Sequence, residues 1–313
     1  MLDLRQIQYF VCLYEEGNVT RAARRLNVVQ PALSMQISRI EKQLNVVLFE
    51  RNARGVTPTS AAEAMYRLYA PILLDLRHAD QLMNEMSGKV LGRIAVGIIP
   101  SITNSVLADV LHRFRLSFPD VELRIDEAYS GTLIDWVIAG DLDLAIVNHT
   151  RRKAEVSVHP LIEEELVLVQ GGSGSSESDP IPFKELRNLS LVLPSQRHGL
   201  RSIVSRVAEQ NGIEITPQIE VDALAPTLKL VAASNLSAVL PAIVARRAAA
   251  DLPLRARRIV EPALSRQLVY VYRSQRSLSR AVKAFIDILE NELKDDMSRS
   301  ALVRDSISAK QRS

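Results

Sequence analysis

The segment 17–45, GNVTRAARRLNVVQPALSMQISRIEKQLN, contains two short helical patterns separated by only a few residues. In the first pattern, apolar residues repeat at helical spacing over residues 19–26, and two small alanines let another helix approach closely. Pro31 is tolerated only in the first turn of a helix, so a second helix is predicted to begin near Gln30. A pair of short helices joined by a tight turn therefore constrains this part of the fold most strongly.

A preceding helix is expected to cover this pair. Apolar residues at helical spacing run from Leu4 to Tyr14, and the helix should stop near Gly17. Asn18 can then cap the first helix of the pair, because its short polar side chain can accept a backbone hydrogen bond. In this arrangement, the preceding helix covers the inner faces of the two short helices.

A hairpin is predicted to follow the three helices. The segment 48–59, LFERNARGVTPT, is typical of two short strands with Gly55 at the turn, and it presents Arg51 and Arg54 where a minor groove or a phosphate backbone could be reached. Residues 1–59 are thus predicted to form an all-α winged helix-turn-helix domain, with the helix-turn-helix itself at about 18–37.

The charge distribution agrees with a nucleic-acid contact. The whole chain carries 39 Lys and Arg against 36 Asp and Glu, a net charge of +3, whereas residues 17–58 carry seven basic and two acidic residues. A positive field concentrated at one end suits DNA, and the second helix of such a pair places its first residues on base edges. The alternative is a small helical domain with a solvated basic face; the wing and the charge asymmetry favour DNA binding.

The segment TRAARRLNVVQPALSMQISRIEKQLNVVLFERNARGVTPT resembles the DNA-binding domain of LysR-type transcriptional regulators. The resemblance implies that Gln30, Pro31 and Ser34 face bases. It also implies that Thr20, Arg21 and Arg39 hold phosphate or shape the surface, and that Arg54 is the wing arginine. Val29 departs from the family, where many members carry a small hydroxyl residue that caps the recognition helix; valine can make no such bond.

Residues 60–88 are predicted to form a long linker helix. Apolar positions recur at steps of three and four along it, which makes a stripe that needs a partner. The alternative is packing against its own domain, whereas the resemblance implies a homodimer, tetramers on DNA, and RNA polymerase as a possible further partner. Pro71 removes one helical hydrogen bond, so a bend or break is expected at 69–71.

The remaining chain alternates strands and helices, which predicts an α/β domain over residues 89–296 with parallel strands. Two such units are expected: lobe I from 89–161 and 267–296, and lobe II from 162–266. The two connections between them define a hinge. This order resembles the two-lobed LysR-type effector domain, which is similar to periplasmic binding proteins, and residues 297–313 are expected to form a disordered tail.

Ligands of open α/β sheets bind at the carboxyl ends of strands, and four polar segments occupy such positions here. They are PSITN, SGT, NHT and PSQRHGLR. A small anionic or polar effector between the lobes is the predicted ligand. The candidate effector-binding residues are Ser101, Thr103, Thr132, Asn148 and Arg201. Each of these residues could instead be an ordinary helix cap or a surface ion pair.

No catalytic or metal-binding motif was found, so neither a cofactor nor a metal is expected. Cys12 is the single cysteine, which excludes a disulfide framework, and the five histidines are scattered. The segment 171–179, GGSGSSESD, lacks the spacing of a nucleophile elbow and is expected to be a flexible surface loop. With no signal peptide or transmembrane segment, the protein is predicted to be cytoplasmic, without a membrane partner. A solute-binding or enzymatic α/β protein with an accessory N-terminal domain remains the alternative function.

Overall fold

The computed structural model describes residues 1–52, 55–86, 90–149, 154–172, 180–274 and 276–310. Side chains are described at all of these positions except 51, 52, 77, 78, 81, 82, 84–86 and 299–310. The chain divides into two compact units, which are Met1–Lys89 with Ala139–Asp141, and Val90–Ile138 with Leu142–Ser313. In the described part of the chain, no helix is both long enough and apolar enough to cross a membrane.

The N-terminal unit contains three short helices, a hairpin and a long helix. Its elements are α1 (Leu4–Glu16), α2 (Val19–Arg25), α3 (Gln30–Leu44), β1 (Phe49–Asn52), β2 (Gly55–Pro58) and α4 (Ser60–Met86). The predicted helix boundaries are confirmed: Gly17 ends α1 in the left-handed conformation, and the Asn18 side chain accepts a hydrogen bond from the Arg21 amide at 3.0 Å. Phe10, Leu33 and Ile40 are fully buried between the helices.

The predicted hairpin is also confirmed. Strands β1 and β2 pair antiparallel, with Asn52 opposite Gly55. Gly55 has a φ of +135°, and a Cβ there would lie 2.6 Å from the carbonyl oxygen of Gly17, so no larger residue fits. The Val56 amide donates to the same oxygen at 3.1 Å. These contacts attach the hairpin to the end of α1.

Helix α4 is continuous across Pro71, so the break that was one of the two expectations for 69–71 does not occur, and the other, a bend, stays a prediction. A proline costs one intrahelical hydrogen bond, and the neighbouring residues are mostly good helix formers, which carry the helix past it. Four apolar side chains of α4 are exposed in a row: Leu68, Ile72, Leu76 and Met83.

The second unit is α/β, as predicted. Its first half contains β3 (Gly92–Ile98), α5 (Pro100–Thr103), α6 (Leu107–Ser117), β4 (Val121–Glu127), α7 (Ser130–Ala139), β5 (Leu144–Asn148) and β6 (Val156–Gly171). Its second half contains β7 (Ile181–Pro182), a 3₁₀ turn (Phe183–Asn188), β8 (Leu191–Leu193), α8 (Gly199–Gln210), β9 (Ile219–Glu220), α9 (Leu224–Ala232), β10 (Ser237–Pro241), α10 (Ala242–Ala248), β11 (Leu254–Val260), β12 (Ser265–Arg273) and α11 (Arg280–Lys310).

Strand β6 belongs to both lobes. The strand order is β4-β3-β5-β12-β6-β10-β8-β9, with β11 beside β6 and β7 beside β11. One end of β6 pairs with β12 in lobe I, and its other end pairs with β10 and β11 in lobe II. The chain returns to lobe I beside this crossing, where the Leu166 amide donates to the Leu264 carbonyl at 2.9 Å. The two crossing points lie where the hinge was expected, and motion about them stays a prediction.

The end of the chain differs from the prediction. Helix α11 continues to Lys310, so the expected disordered tail from Met297 is helical as far as that residue. The segment 297–310 has neither glycine nor proline, and nothing in it stops a helix that has already begun.

Candidate functional site

The outer surface of α3 is the first candidate site. Gln30 and Pro31 are exposed in its first turn, Ser34 is half-buried one turn later, and Arg39 is exposed further along. The prediction that Val29 cannot cap the recognition helix is confirmed. Val29 occupies the N-cap position of α3, and its side chain makes no capping hydrogen bond. The residues predicted to read DNA therefore lie on one short helix with most of their side chains accessible.

The basic residues around α3 differ in their partners. Arg21 is exposed and contacts Glu16, with 3.4 Å between Nε and Oε2, and Arg25 contacts Glu15 at 2.7 Å. Arg24 and Arg39 have no acidic partner among the residues that the structure describes. Two exposed cations are thus fully available to phosphate, and of these Arg24 was not identified from the sequence. Thr20 is exposed on α2 beside them.

Met35 is an exposed apolar residue on the same helix. Its exposed fraction is 68%, and it lies one helical turn after Pro31. Exposing a large apolar side chain on a short helix leaves a surface suited to an apolar partner. This exposure could have been predicted, since Met35 falls outside the apolar stripe formed by Leu33, Ile37 and Ile40.

The wing arginines lie largely outside the described residues. The backbone of Arg51 forms part of β1, but its side chain is not described, and Arg54 lies in the undescribed turn. Their contacts remain predictions. Residues 173–179 of the expected surface loop lie outside the described residues as well.

The second candidate site is a cavity between the lobes of the α/β unit, called the interlobe cavity below. The space between its walls is about 480 Å³, a volume that includes space open to solvent. It lies at the carboxyl ends of β3, β8 and β10, as expected for an open α/β sheet. Its lining residues are Pro100, Ser101, Val192, Pro194, His198, Leu200, Val221, Asp222, Leu224, Thr227, Val239, Leu240, Pro241 and Arg266.

A buried ion pair forms one wall of the interlobe cavity. Arg266 donates from Nε and Nη2 to Oε2 of Glu164, at 3.0 and 2.7 Å, and the two residues are only 3% and 5% exposed. The other carboxylate oxygen, Oε1, accepts from the Ile243 amide at 2.9 Å. Arg266 Nη1 donates to Ser101 Oγ at 2.8 Å and to Asn148 Oδ1 at 3.3 Å. The pair thus links the hinge strands to lobe I and to the start of α10.

His198 enters the interlobe cavity from lobe II. Its Nδ1 accepts from the Leu200 amide at 3.1 Å, which leaves the proton of the neutral ring on Nε2. Burial lowers the pKa of His198 from its ordinary value, Asp222 opposes this, and Arg266 adds to it. His198 is therefore a neutral hydrogen-bond donor at physiological pH.

The two lobes touch beside His198. The ring of Tyr129 in lobe I meets the His198 ring edge-on at a centroid distance of 5.2 Å, and its hydroxyl donates to the Asp222 carbonyl at 3.4 Å. A Cβ at Gly199 would lie 3.0 Å from Nδ2 of Asn148. The close approach of the Asn148 side chain to the start of α8 therefore depends on glycine at position 199.

The predicted effector residues fall into two groups. Ser101 lines the interlobe cavity, and Asn148 lines a smaller neighbouring pocket that shares Ser101 and His198 with it. Thr103 instead donates to the Pro100 carbonyl and also contacts Glu127, and Thr132 is exposed on α7 away from the lining.

Arg201 was also predicted to face the effector, but its side chain points into lobe II. Its Nη1 contacts Oε1 of Glu220 at 3.3 Å and the Pro194 carbonyl at 3.4 Å, and its Nε donates to Ser205 Oγ at 3.3 Å. The segment after the strand was identified correctly, but the third residue of α8 lies on the helix face turned toward Glu220 of β9. Arg201 therefore does not line the interlobe cavity.

Neither Arg266 nor Glu164 was predicted as a site residue, because the feature that unites them is a pairing between strand residues 102 positions apart. A charged residue of each sign at the two predicted hinge crossings could have suggested it. No cluster that could hold a metal ion occurs within the described ranges of the chain.

Comparison with protein families decides the identity. The family described as "LysR substrate binding domain" matches residues 87–294, and "Bacterial regulatory helix-turn-helix protein, lysR family" matches residues 4–63. The chain belongs to the LysR family. It is thus a DNA-binding transcriptional regulator with an effector-binding domain, and the resemblance found in its sequence is confirmed.

Individual relatives agree with this assignment. The LysR chain is 27% identical over 289 residues to the nitrogen assimilation regulatory protein nac of Klebsiella aerogenes, covering 92% of this chain and 94% of that one. It is 23% identical to the hydrogen peroxide-inducible genes activator of Haemophilus influenzae, covering 94% and 98%. These relatives are regulators of genes, which favours a regulator over the enzymatic alternative.

Solved structures show the same fold. Full-length OxyR from Pseudomonas aeruginosa superposes on this LysR chain with a TM-score of 0.76 at 23% identity, covering 92% of this chain and 95% of that one. Full-length CbnR, solved with its target DNA, gives a TM-score of 0.65 at 24% identity, covering 93% and 100%. At such identities the likeness establishes the architecture only.

Proposed function

We propose that the interlobe cavity is the effector site of this regulator and that its occupancy changes how the N-terminal domain binds promoter DNA. The supporting observation is that the polar residues lining the cavity come from both lobes. Ser101 comes from lobe I, and His198 and Thr227 come from lobe II. Arg266 is the second residue of β12, beside the crossing between the lobes. A ligand that contacts both lobes favours one arrangement of them over another, which is the requirement for coupling.

The interlobe cavity offers both donors and acceptors. Ser101 Oγ accepts from Arg266, so its own hydrogen can be donated to a ligand. His198 offers its Nε2 proton. Thr227 donates its hydroxyl hydrogen to the Ala223 carbonyl at 2.9 Å and keeps its oxygen lone pairs as acceptors. A ligand with a polar oxygen can therefore be oriented from both lobes.

Effector affinity and DNA affinity must be measured separately to test this proposal. A thermal-shift screen of metabolites supplies an effector, and its affinity is then compared for the wild type, Ser101→Ala and Thr227→Val. Each variant should bind it about 2-fold to 10-fold more weakly, the value of one hydrogen bond, and should retain promoter binding. Thr103→Val is the matched control, since its hydroxyl is directed to Pro100 and Glu127. An equal loss in the control, or no loss in either test variant, would place the effector elsewhere.

The DNA contacts follow from the surface of α3. Gln30 and Ser34 lie where the first turns of a recognition helix meet base edges, and exposed Met35 suits the methyl group of a thymine. Arg24 and Arg39 supply charge to phosphate. The predicted roles of Thr20, Arg21, Pro31 and the wing residues Arg51 and Arg54 are retained as parts of the same surface.

The assembly proposed is a homodimer formed through α4. Leu68, Ile72, Leu76 and Met83 are exposed at spacings of four and seven residues, as in a helix that packs against another helix. A dimer also places two recognition helices on one DNA site. The tetramer and a contact with RNA polymerase rest on the family resemblance alone. A promoter-binding protein acts where the chromosome lies, so the cytoplasm is the proposed location.

A further inference from the structure

The positive charge in the wall of the interlobe cavity is already neutralised. Arg266 makes a two-bond contact with Glu164, and the side chains are 1% and 5% exposed. The other arginine considered for an anionic effector, Arg201, pairs with Glu220 outside the lining. Among the described lining residues, no cation is left to balance a negatively charged ligand.

A negative charge faces the same space. Asp222 lines the interlobe cavity, and its carboxylate accepts from the amide and the hydroxyl of Ser195, at 2.8 and 3.0 Å. These bonds hold a carboxylate without neutralising it. A carboxylate ligand would lose its hydration and meet another carboxylate, and burying an ionised group without a partner is costly.

The rest of the lining is apolar. Nine of the fourteen lining residues have apolar side chains: Pro100, Val192, Pro194, Leu200, Val221, Leu224, Val239, Leu240 and Pro241. The neutral polar groups, on Ser101, His198 and Thr227, each offer one donor or acceptor function. Such a surface matches a compact apolar molecule that carries one or two polar oxygens.

We infer that the interlobe cavity selects small, uncharged, largely apolar molecules over carboxylates of the same shape. This inference rests on the proposed function, because it names the ligand class of the proposed effector site. Of the two effector classes expected from the sequence, anionic or polar, it selects an uncharged polar one. The buried ion pair is the cause, because Glu164 neutralises the charge of Arg266, which would otherwise attract an anion.

Matched pairs of amides and carboxylates test the ligand class directly. The probes are benzamide with benzoate and isovaleramide with isovalerate, titrated calorimetrically into the full-length protein at neutral pH. Within a pair the shape is nearly constant and the charge differs. At least one amide should bind, and about ten-fold more tightly than its carboxylate, a difference of about 1.4 kcal/mol. A carboxylate that binds as tightly as its amide, or failure of both amides to bind, would overturn the inference.

A blocking variant separates the ligand class from the site itself. Leu224 is half-buried in the lining of the cavity, so Leu224→Trp should fill it and abolish amide binding. Leu230→Trp is the control, since Leu230 is half-buried on the same helix outside the lining. If a carboxylate binds more tightly and Leu224→Trp still blocks it, the site stands and the inferred class is wrong. If binding survives in Leu224→Trp, the site proposal fails as well.

A charge variant should reverse the preference. Glu164→Gln leaves the Arg266 charge uncompensated at nearly constant shape, so the carboxylate of each pair should become the tighter ligand. Glu163→Gln is the control, since Glu163 is exposed and accepts from Ser265 Oγ at 2.7 Å. An unchanged order in a folded Glu164→Gln variant would contradict the assigned role of the ion pair. If that variant fails to fold, the amide and carboxylate titrations of the wild type decide.

Discussion

The α3 surface and the interlobe cavity use polar residues in opposite ways. On α3, Gln30 and Arg39 are exposed, and Arg39 has no acidic partner among the described residues. In the cavity, Arg266 is buried, and its hydrogen bonds go to Glu164, Ser101 and Asn148. An exposed cation that stays hydrated costs little and remains available to phosphate. A buried cation must be compensated inside the protein, and it is then no longer available to an anion.

This difference indicates how each region recognises its partner. The α3 surface can bind a polyanion through charge and then distinguish bases by hydrogen bonds. The interlobe cavity is electrically balanced and must select by shape, apolar contact and a few neutral hydrogen bonds. A change at Arg266 should therefore affect folding first, whereas a change at Arg39 or Gln30 should affect binding alone.

The largest expected effect is at the buried pair. Arg266→Ala leaves Glu164 charged and unpaired, so the free energy of unfolding should fall by about 3–5 kcal/mol, as measured by urea denaturation. Arg258→Ala is the matched control, because Arg258 contacts Glu165 at 3.1 Å with both side chains well exposed. That exposed pair should contribute about 0–1 kcal/mol. Equal losses in the two variants would remove the contrast between buried and exposed charge.

The exposed row on α4 should give the next largest effect. Leu68→Glu places a charge in the proposed dimer interface and should weaken dimerisation by about 1.5–3 kcal/mol per chain, as measured by analytical ultracentrifugation. Arg67→Glu is the control, since it adds a carboxylate about 100° away around the helix. Full-length promoter binding should weaken together with the dimer. A monomeric Leu68→Glu protein that binds the full promoter normally would rule out this interface.

Two substitutions in the DNA-binding region should affect sequence preference and overall affinity separately. Gln30→Ala should relax the preference at one base pair by about 1–3 kcal/mol, with little change at the others. Arg24→Ala should weaken binding to every sequence alike and reduce the salt slope by about one. Affinities for single-base promoter variants at several salt concentrations measure both effects. A uniform loss at all base pairs for Gln30→Ala would remove it from a reading role.

The smallest effect is the response of His198 to pH. Its folded-state pKa is lowered by burial, so its contribution to stability is present above its unfolded pKa and is lost as the pH falls through the folded value. Unfolding free energies measured between about pH 7 and pH 5 should fall less steeply in His198→Asn than in the wild type. Identical slopes in the wild type and His198→Asn would contradict the neutral state assigned to His198.

Local sequence was enough to predict the α3 region. The start of α3 follows from Pro31, the end of α1 from Gly17, and the missing cap from Val29, because each depends on the conformational limits of one residue. The order of strands and helices, and the position of Ser101 after a strand, could be predicted for the same reason.

The side-chain partners of the cavity could not be predicted in this way. Arg266 and Glu164 meet only because two hinge strands pair, and Arg201 turns away only because of its position on α8. The continuity of α4 past Pro71 could not be predicted either, since one lost hydrogen bond is outweighed by the residues around it.

The central claim is that occupancy of the interlobe cavity and promoter binding are coupled, and thermodynamic reciprocity tests it most directly. An amide that binds is titrated calorimetrically into the free protein and into its promoter complex, and promoter affinity is measured with and without that amide. Both affinities should change by the same factor, different from one, and Leu224→Trp should bring the factor to one while it still binds the promoter. An amide that binds the wild type with the same affinity in the presence and absence of promoter DNA would contradict it.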